Sequence, residues 1–151
     1  MKHGMKNETR VNILMADDDL EDKMLMKEAL EENSFLNQIH FVDDGEELML
    51  YLYKRGKYKS LPTFRPSIIL LDLNMPKIDG IEALRIIKSD KDLKRIPVVI
   101  YTTSRSEDDI ITTYDLGVNS FICKPVEYDQ LVEIARQIGS YWFRIVTLPL
   151  Q

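Results

Sequence analysis

The chain has 151 residues, 44% of them hydrophobic and 30% charged. A chain of this size buries roughly two thirds of its unfolded surface in one core without disulfide or metal staples, which excludes intrinsic disorder. Lys and Arg number 20 against 25 Asp and Glu, a net charge of −5, opposite to the basic stripe that binding directly to nucleic acid requires.

Residues 1–10 carry an acid, Glu8, and no apolar core, so they are expected to form a solvated tail rather than a leader. No apolar run approaches the ~20 residues of a membrane helix, and no membrane association is expected. The first strand is expected over Val11 to Ala16, followed by the acids Asp17, Asp18 and Asp19 and a helix from about Leu20 to Glu32. Gln38 to Val42 reads as a second strand, with Asp43-Asp44-Gly45 turning into a helix that runs to about Lys54. Arg55 to Pro66, punctuated by Gly56, Pro62 and Pro66, reads as a loop. Ser67 to Asp72 is branched and apolar almost throughout, as a central parallel strand covered on both faces must be. A third helix is expected from about Gly80 to Ser89, with Ile81, Leu84 and Ile87 on one side, and a fourth strand over Pro97 to Thr102. Ser106 caps a fourth helix with acids in its first turn, and Gly117 fits its left-handed stop. Ser120 to Cys123 forms the fifth strand. Leu131, Ile134, Ala135 and Ile138 recur at the spacing of a last amphipathic helix.

Five strands alternating with five helices predict one α/β domain over residues 11–140, a doubly wound parallel sheet with right-handed crossovers. Ligands of such sheets sit beyond the carboxyl ends of the strands. There the chain places Asp17, Asp18 and Asp19 after strand one, Asp72 after strand three, Thr102-Thr103-Ser104 at the end of strand four, and Lys124-Pro125 after strand five. Asp17, Asp18 and Asp72 held about 5 Å apart repel by roughly 3 kcal/mol per pair at an effective dielectric of about 20. A cation is therefore required. Hard oxygen ligands with no His or Cys nearby select Mg²⁺, or Mn²⁺. Three acids, one divalent ion and the Lys124 ammonium sum to zero charge. Each piece alone has an ordinary reading, as a helix cap, a turn or common strand composition; what outweighs those readings is that four strand ends share one sheet edge.

Ile-Leu-Met-Ala-Asp-Asp-Asp, Leu-Leu-Asp-Leu-Asn-Met-Pro-x-x-Asp-Gly, Val-Ile-Tyr-Thr-Thr and Phe-Ile-Cys-Lys-Pro, taken in order, resemble the receiver domains of two-component response regulators. The resemblance covers about Val11 to Gly139 and implies a flavodoxin-like (βα)5 fold with strand order 2-1-3-4-5. It implies that Asp72 accepts a phosphoryl group from a sensor histidine kinase in a phosphorelay. Asp17, Asp18 and Asp72, with the backbone carbonyl of Asn74, would hold Mg²⁺, while Lys124 and the Thr102 hydroxyl would pair with phosphoryl oxygens. It also implies a cis peptide between Lys124 and Pro125, and a switch in which Thr102 draws an aromatic ring of strand five inward. That ring is Phe121, which lacks the hydroxyl of the commoner tyrosine. Thr103 replaces the usual small residue and narrows the space above Asp72. The loop from Gly56 to Pro66, the Leu93 to Pro97 segment, and a tail with Tyr141 and Trp142 resemble the stand-alone regulators paired with phytochrome-type kinases. No DNA-binding output domain fits after Gly139, so the output is expected to be a surface read by a protein partner, or onward transfer.

Residues 141–151 are apolar for a free terminus and are expected either to pack back on the domain or to serve as a homodimer or partner contact. Cys123 and the methionines, Met15, Met24 and Met49 among them, read as core, and His40 and His3 lie away from the acids. Two other chemistries compete. A flavin site would need a phosphate-cradling loop where the acids stand, and an aspartyl phosphohydrolase would resemble a pattern with a second acid at the position of Asn74. A pure interaction module that keeps the fold without taking phosphate is the third alternative.

Overall fold

The computed structural model describes residues 11–34 and 37–149, so the expectation for residues 1–10, including His3, lies outside the described residues. Five strands, β1 (Val11–Ala16), β2 (Asn37–Val42), β3 (Ile68–Leu71), β4 (Val98–Thr102) and β5 (Ser120–Cys123), form one sheet in the order β2-β1-β3-β4-β5. Every neighbouring pair is parallel, as the sequence predicts for a doubly wound, flavodoxin-like sheet. The helices are α1 (Leu20–Glu32), α2 (Gly45–Tyr53), α3 (Gly80–Ser89), α4 (Glu107–Asp115) and α5 (Tyr128–Gly139).

Alternation along the strands divides the core in two. Leu14, Ala16, Ile69, Leu71, Val98 and Ile100 face a cluster with α2 and α3, whereas Ile13, Met15, Ile68, Leu70, Val99 and Tyr101 face one with α1 and α5. A period of two, buried on both sides, is what a central parallel strand requires, and all four residues of β3 are buried. The helices begin where side-chain oxygens meet free backbone N–H groups. Asp19, Asp44, Asp79 and Ser106 each accept from the N–H three residues on, the preferred capping geometry. Gly117 takes a φ of +103°, which ends the α4 turn at little cost only for glycine.

The expected loop from Arg55 to Pro66 contains a 3₁₀ turn, Gly56–Lys59, that buries Tyr58. Tyr58 donates its hydroxyl to Glu47 at 2.6 Å and packs edge-on against Tyr51, which pins the segment to α2. Met24 corrects a core expectation: it is 52% exposed on α1, because the buried stripe of that helix runs through Met26, Ala29 and Leu30. His40 lies beside Tyr51 and Tyr58, away from the acids.

After α5 the chain makes a wider, π-helical turn, Ser140–Ile145. Trp142 is buried in the α1/α5 cluster, with Phe143, Val146 and Leu148 packed against it, while Tyr141 and Ile145 remain exposed. Much of the tail's apolar character is thus spent on the domain's own core. Trp142→Ala is expected to cost about 3 kcal/mol, the usual penalty for emptying a buried aromatic site. A urea midpoint unchanged by the substitution would show that the segment is not docked. Among the described residues, no helix is long and apolar enough to cross a membrane.

Candidate functional site

The three consecutive acids after β1 divide into separate tasks. Asp17 still belongs to the sheet: its N–H donates to the Val42 carbonyl at 3.1 Å and its side chain is buried. Asp18 is exposed at the rim. Asp19 turns the chain into α1, capping the Asp22 N–H at 3.1 Å and donating its own N–H to Asp17 Oδ1 at 2.9 Å. One acid is anchored at the sheet edge, one stands exposed at the rim, and one caps α1.

Asp72 follows β3 and is 5% exposed. Its N–H donates to the Ala16 carbonyl at 3.0 Å, which ties it to the end of β1, and its Oδ1 accepts from the Asn74 N–H at 3.3 Å. The loop behind it closes on Gly80, whose N–H donates to the Leu73 carbonyl at 2.9 Å. A Cβ at that glycine would stand 2.3 Å from the Asp72 carbonyl oxygen and 2.6 Å from the Leu73 Cα. Only glycine permits that approach.

Asp17, Asp18 and Asp72 each present a carboxylate oxygen, and these oxygens lie within 4.8 Å of one another. The Lys124 ammonium lies 2.7 Å from Asp17 Oδ2 and 3.2 Å from Asp72 Oδ2, and it is buried. Lys124 and Asp17 thus form a close ion pair between two buried groups. Burial pushes the Asp17 carboxyl up to about 6, although the Lys124 ammonium and the Asp19 N–H pull it down. Burial opposes the charge on Lys124 as well, but the carboxylates of Asp17 and Asp22 outweigh it and raise its pKa. Three converging carboxylates facing one ammonium, with hard oxygens as the donors, fit a small divalent cation. Asn74 is exposed on the loop after Asp72.

Thr102 ends β4, is fully buried, and accepts the Ser104 N–H on its Oγ1 at 3.3 Å. Thr103 is exposed. Phe121 lies half-buried on β5 against the α2/α3 cluster, and its strand pairs with β4. Cys123 is half-buried.

The expected cis peptide between Lys124 and Pro125 is a correction. Among the described residues no peptide bond is cis. The trans form is the ordinary one for an X–Pro bond, and three carboxylates suffice to hold the lysine inward. The third, Asp22, escaped the sequence reading: its Oδ2 lies 2.7 Å from Lys124 Nζ. The available signal was its place in the first turn of α1, three residues after the cap, on the same end of the sheet as Asp17.

The description "response regulator receiver domain" matches residues 13–136 of the chain. Response regulator Rcp1 of Synechocystis sp. is 42% identical over 137 residues, covering 91% of this chain and 92% of that protein. The phosphorylated cyanobacterial phytochrome response regulator RcpA superposes with a TM-score of 0.86 at 43% identity, covering 94% of this chain and 100% of that one. The Mn²⁺-bound form of Rcp1 superposes with a TM-score of 0.84 at 41% identity, covering 93% and 99%. The chain therefore belongs to the response regulator receiver domains of two-component systems, and over nearly its whole length it is similar to a solved cyanobacterial phytochrome response regulator.

Proposed function

We propose that the chain accepts a phosphoryl group on Asp72 from a sensor histidine kinase of the phytochrome type, and that a protein partner reads the resulting change of shape. The observation that carries this reading is the convergence of Asp17, Asp18 and Asp72 within 4.8 Å around a buried ammonium 3.2 Å from Asp72 Oδ2. A relative named as a phytochrome response regulator and solved in a phosphorylated state supports the kinase class, and a second relative solved with Mn²⁺ supports the cation.

Transfer of a phosphoryl group needs little covalent help beyond an in-line nucleophile and fixed positive charge. Asp72 Oδ2 is that nucleophile, while its Oδ1 is steadied by the Asn74 N–H. Mg²⁺, held by Asp17, Asp18, Asp72 and the Asn74 carbonyl, would neutralise equatorial oxygens of the transferring group. Lys124 would pair with one phosphoryl oxygen. The Thr102 hydroxyl would donate to another, exchanging its place beside the Ser104 N–H for one nearer the acceptor and leaving room for Phe121 to move inward. Phe121 has no hydroxyl, so this coupling works through packing alone. The reading places the chain in the cytoplasm with the kinase's phosphodonor domain.

With Mg²⁺ and acetyl phosphate, the wild type is expected to take up one phosphoryl group per chain, and Asp72→Asn none, as read by intact mass. Labelling that survives in Asp72→Asn would move the acceptor elsewhere. Sustained turnover of phosphomonoesters would favour a phosphohydrolase, although the exposed Asn74 occupies the position where such an enzyme would carry its second acid.

A further inference from the structure

Lys124 is surrounded by three carboxylates, and the phosphoacceptor reading uses only two. Asp22 Oδ2 lies 2.7 Å from Lys124 Nζ, level with Asp17 Oδ2 and nearer than Asp72 Oδ2 at 3.2 Å. Asp22 stands in the first turn of α1, where its N–H is fixed by the Asp19 cap at 3.1 Å. It does not belong to the group of acids whose oxygens converge for a cation. The buried ring of Tyr101, the residue before Thr102, lies 5.7 Å from the same ammonium and closes another side of the cage.

We infer that Asp22 is a positioning residue that anchors Lys124 over Asp72 while a divalent cation draws on Asp17 and Asp72. The inference rests on the phosphoacceptor reading above. A doubly charged ion competes with the ammonium for the oxygens of Asp17 and Asp72, and each surrenders part of its hold on Lys124. Asp22 lies outside that competition and keeps a full charge on the lysine. An ammonium has three N–H donors on a flexible four-carbon arm. With one donor fixed by Asp22, another stays aimed at the acceptor through the exchange of Asp72 Oδ2 for a phosphoryl oxygen. The cation–π contact with Tyr101 favours the same inward pose.

The test uses the full chain with Mg²⁺ and beryllofluoride, a phosphoryl mimic, titrated by calorimetry. Asp22→Asn is expected to weaken beryllofluoride binding about tenfold, and Asp22→Glu to recover most of the loss, as expected of a charge that acts by orienting its partner. Removing a negative charge would by itself tighten an anion, so a weakening reports lost positioning. In a Lys124→Met background, Asp22→Asn is expected to change binding by less than about twofold, because a residue that acts through Lys124 loses its effect with it. With Mg²⁺ alone, the NMR order of the Lys124 Cε group is expected to fall in Asp22→Asn. Wild-type affinity in Asp22→Asn, an equal loss in the Lys124→Met background, or unchanged Lys124 order would each overturn the anchor. Wild-type protein with no Asp72-dependent beryllofluoride binding would overturn the phosphoacceptor reading, and the anchor with it; wild-type binding without any Asp22 effect overturns the anchor alone.

Discussion

Asp17→Asn is expected to make the metal-free protein more stable at neutral pH, by up to about 3 kcal/mol, while weakening divalent-cation binding about a hundredfold or more. The Asp17 carboxyl is fully buried, and burial lifts it from 3.8 to about 6 despite the pull of Lys124 and the Asp19 N–H. A folded-state value above the unfolded one means that the folded chain binds this proton more tightly. The group's contribution to stability is therefore complete below about pH 4 and is lost as the pH rises through about 6. At pH 7.5 the wild type carries a buried charge that water would hold more comfortably, and asparagine removes it with nearly the same shape. Lys124 keeps Asp22 and Asp72 as counter-charges, so the ammonium is not orphaned, which is the usual danger in breaking a buried ion pair. Ordinary carboxylates such as Glu133, held at about 2 by hydrogen bonds from Arg136 and Gln137, shift stability in the opposite direction but do so equally in both proteins. The quantity to measure is the difference in urea midpoint between variant and wild type from pH 4 to pH 7.5, without and with Mg²⁺. The gain should appear as the pH rises and should vanish or reverse with saturating Mg²⁺, because a ligand bound only by the folded wild type stabilises it by mass action. Equal midpoints at pH 7.5 without metal would show that Asp17 is not a strained acid.

Gly80→Ala is expected to destabilise the fold by about 3 kcal/mol and to impair cation binding, although glycine-to-alanine changes in helices usually act the other way. Gly80 opens α3 after the Asp79 cap, where helix propensity alone would favour alanine by up to about 1 kcal/mol. The opposing effect is larger. The added carbon would meet the Asp72 carbonyl oxygen at 2.3 Å and the Leu73 Cα at 2.6 Å. Both are backbone atoms, so no rotamer change relieves the clash. Either α3 retreats from the sheet or the Asp72 loop moves, and the second displaces the carboxylate that the site depends on. Paired measurements of urea stability and Mg²⁺ affinity separate these: loss of stability alone means that the helix yielded, loss of both that the loop did. A more stable variant would show that the approach is soft.

The strands were legible because their burial leaves a simple trace. Ile68 to Leu71 is apolar throughout, and the structure buries all four of its residues, since a parallel strand between two helical layers has no polar face to show. The cap Ser106 was legible for a local reason, as its oxygen answers an N–H group three residues away. The acids were legible through topology: once the strands were taken as parallel, Asp17, Asp18 and Asp72 had to meet at one edge. Other features depended on distances between segments remote in sequence. Asp22 and Lys124 are 102 residues apart, and helical spacing alone does not say which side of α1 faces β5. Tyr58 read as loop because Gly56 and Pro62 flank it, yet its hydroxyl finds Glu47 and its ring finds Tyr51. Met24 read as core by composition, whereas the packing of α1 against α5 selects Met26, Ala29 and Leu30 instead.

By itself the order of residues determined the sheet, its two apolar faces, and which acids stand at its carboxyl edge, because these follow from short-range periodicity and from the handedness of parallel crossovers. Only the tertiary structure decided how Lys124 is shared among Asp17, Asp22 and Asp72, that the Lys124–Pro125 bond is trans, and that Trp142 turns back into the core. Those outcomes depend on side-chain distances of a few ångströms between elements brought together by folding, and electrostatic and packing energies at that range change too steeply with distance for any spacing along the chain to specify them.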